Sequence, residues 1–182
     1  KYSLRNFNIG TSLVHQFYDQ PYLKESKPYN AYAFSGSQTT SLSGDYSWGI
    51  RNVYCYGEVV YSSFSKKFAQ IHGILISLDP RISLSLMYRD YHKAYHSFYS
   101  DGFSEGGKVE NEKGVFIGSK IKLNKSLFLN MYADFFSFPW LKYQVSSPSN
   151  GYELFSQLSY RPNKELEIYG RFRMTTKQKD CD

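Results

Sequence analysis

Long hydrophobic runs are missing from this chain. No stretch reaches the roughly 18 consecutive apolar residues that a transmembrane helix requires, which excludes a helical span from these residues. Cysteine is scarce. Cys55 falls inside an alternating segment and Cys181 at the extreme end. That placement argues against a structural disulfide, and no metal-type cysteine spacing occurs. There is no Gly-rich phosphate loop, no nucleophile elbow and no Ser-His-Asp order. The expectation is therefore a protein that is not an enzyme and carries no cofactor and no metal. The opening Lys1-Tyr2-Ser3-Leu4-Arg5-Asn6 is amphipathic and mixed, unlike a signal peptide, and no initiator Met precedes it. We expect an internal fragment or a processed chain.

Aromatic residues are abundant: 19% of 182 residues, with 18 Tyr and 14 Phe. Yet mean hydropathy is only −0.51. That combination is awkward for a soluble domain of this size. It is natural for a β-barrel in a membrane, where lipid-facing apolar residues alternate with polar interior ones and rings collect at the interfaces. The net charge of +6 permits contact with nucleic acid, anionic lipid or lipopolysaccharide, but its spread along the chain singles out none of them.

The clearest pattern lies between residues 114 and 176, which read as two β-hairpins. Val115, Ile117, Ser119, Ile121 and Leu123 alternate with Phe116, Gly118, Lys120 and Lys122. After the turn Asn124-Lys125-Ser126, Leu127, Leu129, Met131, Ala133 and Phe135 alternate with Asn130, Tyr132 and Asp134. A second hairpin sets Tyr152, Leu154, Ser156, Leu158 and Tyr160 against Glu153, Gln157 and Arg161. It turns at Arg161-Pro162-Asn163-Lys164 and returns as Leu166, Ile168, Gly170, Phe172 and Met174. A period of two places one set on each side of a sheet. Runs of about ten residues suit a tilted strand that crosses the hydrocarbon layer. Earlier segments follow suit: 7–17, 42–48, 53–61, 68–78 and 82–91. Nine strands result.

The connections sort themselves. Short turns at 49–52, 79–81, 124–126 and 162–164 alternate strictly with longer segments at 19–39, 63–67, 92–113 and 139–151. In bacterial outer-membrane barrels, tight turns lie on one side of the membrane and long loops on the other. The predicted fold is all-β, an antiparallel up-and-down transmembrane β-barrel of which 1–182 is a single partial domain. Nine strands leave the sheet open, and such barrels close with an even number, so the chain is expected to be incomplete at both ends.

Several segments carry a family likeness. They are Phe103-Ser104-Glu105-Gly106, Asn111-Glu112-Lys113-Gly114-Val115-Phe116-Ile117-Gly118, and Tyr132-Ala133-Asp134-Phe135-Phe136-Ser137-Phe138-Pro139-Trp140-Leu141-Lys142-Tyr143. The likeness continues through Ser147-Pro148-Ser149-Asn150-Gly151-Tyr152-Glu153 and Tyr160-Arg161-Pro162-Asn163. Together they resemble the barrel part of the large helix-hairpin-helix, competence-protein-like outer-membrane proteins of Bacteroidetes-type bacteria. The likeness covers roughly residues 57–177, with Phe138-Pro139-Trp140 its most specific part. It implies an outer-membrane location with lipid and lipopolysaccharide as partners. DNA contact is implied only through a module absent from this chain, because the Gly-containing hairpins between short helices are not in these residues.

Three groups of residues are candidates for function. Glu58, Arg89, Lys120, Lys122, Asp134, Glu153, Arg161, Glu167, Arg171 and Arg173 fall on the polar face. They would line a lumen, either as a solute-selecting surface or as a ladder of opposite charges that rigidifies the interior. Pairing of Glu153 or Glu167 with Arg171 or Arg173 would suit the ladder, which is the simpler reading. Asp90, His92, His96, Asp101, Glu105, Glu110 and Glu112 could bind metal or serve a hydrolase. A solvated loop is simpler, with Glu105, Asn111 and Glu112 ordering it through hydrogen bonds. Phe135, Phe136, Phe138, Trp140, Tyr143 and Tyr152 could form a ligand platform. More simply, Phe135, Phe138, Trp140, Tyr143 and Tyr152 form an aromatic girdle at the headgroup level.

The function expected is structural or transport-like: a barrel segment of a larger protein associated with DNA or solute passage. The alternatives are a soluble, secreted β-sandwich or barrel that binds a ligand, and an outer-membrane hydrolase built on the 92–112 loop.

Overall fold

In the computed structural model, which describes residues 1–97 and 100–180, ten strands form one antiparallel sheet. They are β1 (Tyr2–Leu4), β2 (Phe7–Tyr22), β3 (Gly36–Ile50), β4 (Val53–Ser62), β5 (Lys67–Asp79), β6 (Ile82–Tyr91), β7 (Glu112–Lys122), β8 (Leu127–Phe138), β9 (Ser149–Tyr160) and β10 (Ile168–Lys177). Each strand pairs with the next in sequence, so the topology is up-and-down throughout. Among the described residues no ladder joins β1 to β10. No helix of the described residues is long and apolar enough to cross a membrane. Cys181 lies outside the described residues.

Strands β2 to β10 occupy the nine segments that alternate in the sequence. The tenth, β1, is new. Its three residues are too few to show a period, and it is held by pairing Tyr2 with Ile9 and Leu4 with Phe7. Several boundaries also move, the start of β3 from Leu42 back to Gly36 among them. β2 runs on to Tyr22, past the break in alternation at Asp19-Gln20-Pro21, by absorbing an irregularity between Phe17 and Tyr22. β10 starts at Ile168 instead of Leu166, because the Asn163 side chain accepts the N–H groups of Glu165 and Leu166 and prolongs the turn.

The register assigns each side chain to a face. Ile9 opposes Tyr46, Leu13 opposes Leu42, Ile74 opposes Cys55 and Leu86, and Ile117 opposes Leu86 and Ala133. This face is apolar and exposed: Leu13, Leu42, Val115, Ile117, Leu158 and Phe172 all present large surfaces. The opposite face carries Asp45, Glu58, Arg89, Asp134, Glu153 and Arg173. There Arg89 and Glu112 are 0% exposed, and Asp134 and Glu153 are buried beside them. Polarity is thus reversed relative to a water-soluble sheet, which covers its apolar face.

The polar face is covered by connections from one end of the sheet. Tyr95 and Val109, from the 92–111 connection, pack on Ala69 and Tyr91 with Val60 and Ile71 alongside. A cavity of about 390 Å³ reaches from Val14 on β2 to Tyr91 on β6 beneath this connection. At the same end the Trp140 indole N–H donates to the Pro28 carbonyl at 3.1 Å, joining the β8–β9 connection to the β2–β3 connection. In a flat sheet β3 and β8 would stand about 24 Å apart at the usual strand spacing. The meeting of these loops accords with a sheet curled around its polar face.

Candidate functional site

The buried charges form a branched network at the long-loop end. Arg89 leaves β6, crosses β7 above Gly114 and reaches β8. Its two terminal nitrogens donate to both carboxylate oxygens of Asp134, at 2.8 and 3.0 Å. Its Nε donates to Glu112 Oε1 at 2.6 Å. Such a two-pronged guanidinium–carboxylate pair fixes orientation as well as charge. Gly114 makes the crossing possible, because a Cβ there would lie 2.4 Å from the Arg89 Cζ. The Phe103 ring sits 5.0 Å from the guanidinium carbon, and Tyr91 donates its hydroxyl to the Phe103 carbonyl at 2.9 Å.

The network holds the loop above it. Glu112 also accepts the backbone N–H groups of Glu105 and Gly106, both at 2.9 Å, while the Glu105 carboxylate pairs with Lys177 at the end of β10. Asn111 adopts φ 53°, a region Asn tolerates better than most residues. From there its amide makes two bonds to Trp140. It accepts the Trp140 N–H at 2.8 Å and donates to the Trp140 carbonyl at 3.0 Å. One side chain thus ties the β6–β7 and β8–β9 connections together.

A second polar ladder follows along β8, β9 and β10. Glu153 accepts from the Tyr132 hydroxyl, from Arg173 at 2.8 Å and from Thr175 at 2.8 Å. Arg171 donates to Gln157 at 3.0 Å. Glu167 pairs with Arg161 at 2.9 Å, but in the exposed turn between β9 and β10 and not on a strand. Of the ten charged residues singled out from sequence, eight share the polar face by register. Arg161 and Glu167 lie beyond its end. Arg89, Asp134, Glu153 and Arg173 are engaged in ion pairs, whereas Glu58, Lys120 and Lys122 stand apart from these pairs, with the Lys122 ammonium 5.8 Å from the Phe128 ring.

The acidic and histidine residues of the 90–112 segment are divided among separate partners. Asp90 is on the apolar face with Lys113 at 2.9 Å. His92 Nδ1 accepts the Ala94 N–H at 3.1 Å. His96 Nδ1 meets Glu110 at 2.7 Å. Burial raises the Glu110 pKa, but the His96 contact and the charges of Lys24 and Lys108 outweigh it and hold the carboxyl below its usual range. Asp101 lines the cavity beneath the 92–111 connection. Among the described residues no three His, Cys, Asp or Glu side chains gather as a metal site.

The aromatic residues also separate. Phe135 and Tyr152 are cross-strand partners on the apolar face. Phe138, two pleats beyond Phe136 in the same phase, is buried on the polar face with it, the two rings 5.6 Å apart. Trp140 packs edge-on against Tyr32 at 4.9 Å, and Tyr143 meets Tyr29 at 6.0 Å. Of the five residues expected as a girdle, Phe135 and Tyr152 are the two that share the apolar face of the strands. A strand sends residues 135 and 138 to opposite faces because their separation is odd, and Pro139 ends β8 before Trp140.

The chain matches no family model, no curated protein and no solved structure in the three comparisons made.

The sequence reading missed Gly114, which looks like an ordinary small residue at the start of a strand. It also missed the lysines of the loops. Lys24, Lys93, Lys108 and Lys142 come from three separate connections and line a single pocket. No local pattern relates them.

Proposed function

We propose that this chain is a segment of an outer-membrane β-barrel, with lipid against its apolar face and a charged, loop-plugged interior. The observation that carries the reading is the reversed polarity. Arg89 and Glu112 are 0% exposed, while Leu13 is 68% and Phe172 60% exposed. In water, exposed apolar area forgoes roughly 25 cal/mol per Å² of burial. In a bilayer the same face is solvated by acyl chains, and only the polar face needs covering. The strands from β2 to β10 have 10 to 16 residues, enough for the roughly 9–11 that a tilted strand needs to span hydrocarbon.

Connection lengths give further support. The turns at 5–6, 51–52, 80–81, 123–126 and 161–167 lie at one end of the sheet. The connections at 23–35, 63–66, 92–111 and 139–148 lie at the other, and all of these but 63–66 are longer than any turn at the first end. Each unpaired backbone group in hydrocarbon costs several kcal/mol, so the outer edges of β1 and β10 must pair, with each other or with further strands. We further propose, on the family likeness of the sequence, that the segment belongs to a larger helix-hairpin-helix protein concerned with solute or DNA passage.

Refolding tests the proposal. The protein should give a β-type circular dichroism spectrum in detergent micelles and fail to fold in plain buffer. A monomeric, β-rich protein in plain buffer would contradict it and would favour the soluble ligand-binding reading.

A further inference from the structure

A pocket of about 250 Å³ opens among the connections 23–35, 92–111 and 139–148. Four lysines line it: Lys24, Lys93, Lys108 and Lys142. Among the described residues none of them has a carboxylate within 4.0 Å. The one acid in the lining, Glu110, is already held by His96 at 2.7 Å. Two of the ammonium groups are positioned by rings. Lys93 stands 4.2 Å from the Trp140 ring centre and 4.3 Å from that of Tyr32, and Lys142 lies over Phe138 at 3.4 Å. Burial holds the Lys142 ammonium below the usual lysine value, although Glu112 and Glu105 oppose that shift. Such a group gains from a further anion.

Four lysines around one carboxylate leave the pocket with an excess of positive charge, which is unfavourable by itself. The arrangement becomes favourable when a multiply charged anion enters. Pocket size limits the ligand to about one ring, since it falls below the roughly 300–1,000 Å³ of drug-sized sites. Tyr29 and Tyr143 add aromatic surface to the walls, and rings of this kind present an apolar face beside a polar tip. A pyranose has the matching character, with C–H groups on its faces and hydroxyls around its edge.

We propose that this loop pocket binds a phosphorylated sugar, its phosphate among the four lysines and its ring against the aromatic wall. Apart from Phe138 at the end of β8, the pocket is built from connections, so the inference goes beyond the barrel reading and does not require it. The sugar phosphate is either a free solute or the headgroup of a glycolipid.

The test uses Trp48→Phe, which leaves Trp140 in the pocket as the single Trp of a chain that has two. The protein is first shown to be folded by circular dichroism, in detergent or buffer, so that a folding failure is separated from a binding failure. Trp140 emission is then titrated with glucose 6-phosphate, with glucose, with inorganic phosphate, and with vesicles carrying a phosphorylated glycolipid. We expect a saturable response to glucose 6-phosphate or to the vesicles, weaker at high salt, with the responding member of the pair naming the source. Inorganic phosphate should bind more weakly and glucose not at all. Lys93→Gln and Lys142→Gln should each weaken binding about tenfold, the usual scale for losing a charged hydrogen bond. Lys164→Gln, in the β9–β10 turn, should change nothing. Equal binding of glucose, no response to any phosphate compound, or indifference to the Lys93 and Lys142 substitutions would overturn the proposal. Inorganic phosphate binding as tightly as the sugar phosphate would overturn its sugar part.

Discussion

At the scale of single residues, Arg89 is the side chain on which most depends. It is wholly buried and neutralised by two carboxylates from β7 and β8. Asp134→Ala leaves Arg89 paired with Glu112 but strips two hydrogen bonds from the buried guanidinium, and losing a hydrogen bond to a charged group costs about 1.5–3 kcal/mol. Stability should fall by roughly that amount, read as a reduced midpoint in urea. Gly114→Ala deletes no interaction, yet its methyl group would meet a guanidinium pinned by three hydrogen bonds. That guanidinium cannot swing aside as a free arginine would. A loss of about 1–3 kcal/mol is expected, the usual cost of overpacking, whereas the same change at Gly170 on β10, where a Cβ meets nothing within 4 Å, should be nearly silent. Glu110 gives a pH dependence. Its folded pKa is depressed, so the stability it contributes is fully present above the ordinary glutamate range and is lost as pH falls through the lower folded value. Limited proteolysis of the 92–111 connection should therefore quicken on acidification below the glutamate range, and Glu110→Gln should remove that dependence.

At the scale of elements, neighbouring residues on one strand face different surroundings. Leu42 and Ser43 follow each other on β3, with Leu42 exposed on the apolar face and Ser43 opposite Ser12 and Val60 on the polar one. Leu42→Arg should cost about 2–4 kcal/mol, as a charge on a lipid face does, while Ser43→Arg should be tolerated. In water the exposed Leu42 would accept the change within about 0.5 kcal/mol. Chemical unfolding of the detergent-folded variants would decide between the two. This contrast was legible in the sequence, because period-two alternation is local and each of β2 to β10 is long enough to display it. β1 was not, since three residues have no period. Nor was the Asn111–Trp140 clamp, whose 29-residue separation is set by how the connections meet above the sheet. Alternation showed that Arg89 and Asp134 share a face, but not that Arg89 would cross β7 to reach Asp134. That depends on strand register and on the room left by Gly114.

At the scale of the whole molecule, the ten strands give a sheet whose usual solvent preference is reversed, with long connections gathered over its polar face. The same reversal explains the composition: many aromatic residues, yet a negative mean hydropathy. Lipid contact of the apolar face is the central claim, and fluorescence quenching tests it most directly. Trp140→Phe leaves Trp48, which is about half exposed on that face between Phe7 and Cys55. The account predicts that lipids brominated along their acyl chains will strongly quench Trp48 in the reconstituted protein, while iodide in the aqueous phase will not. Quenching by iodide with no effect of brominated lipid would place Trp48 in water and contradict the account.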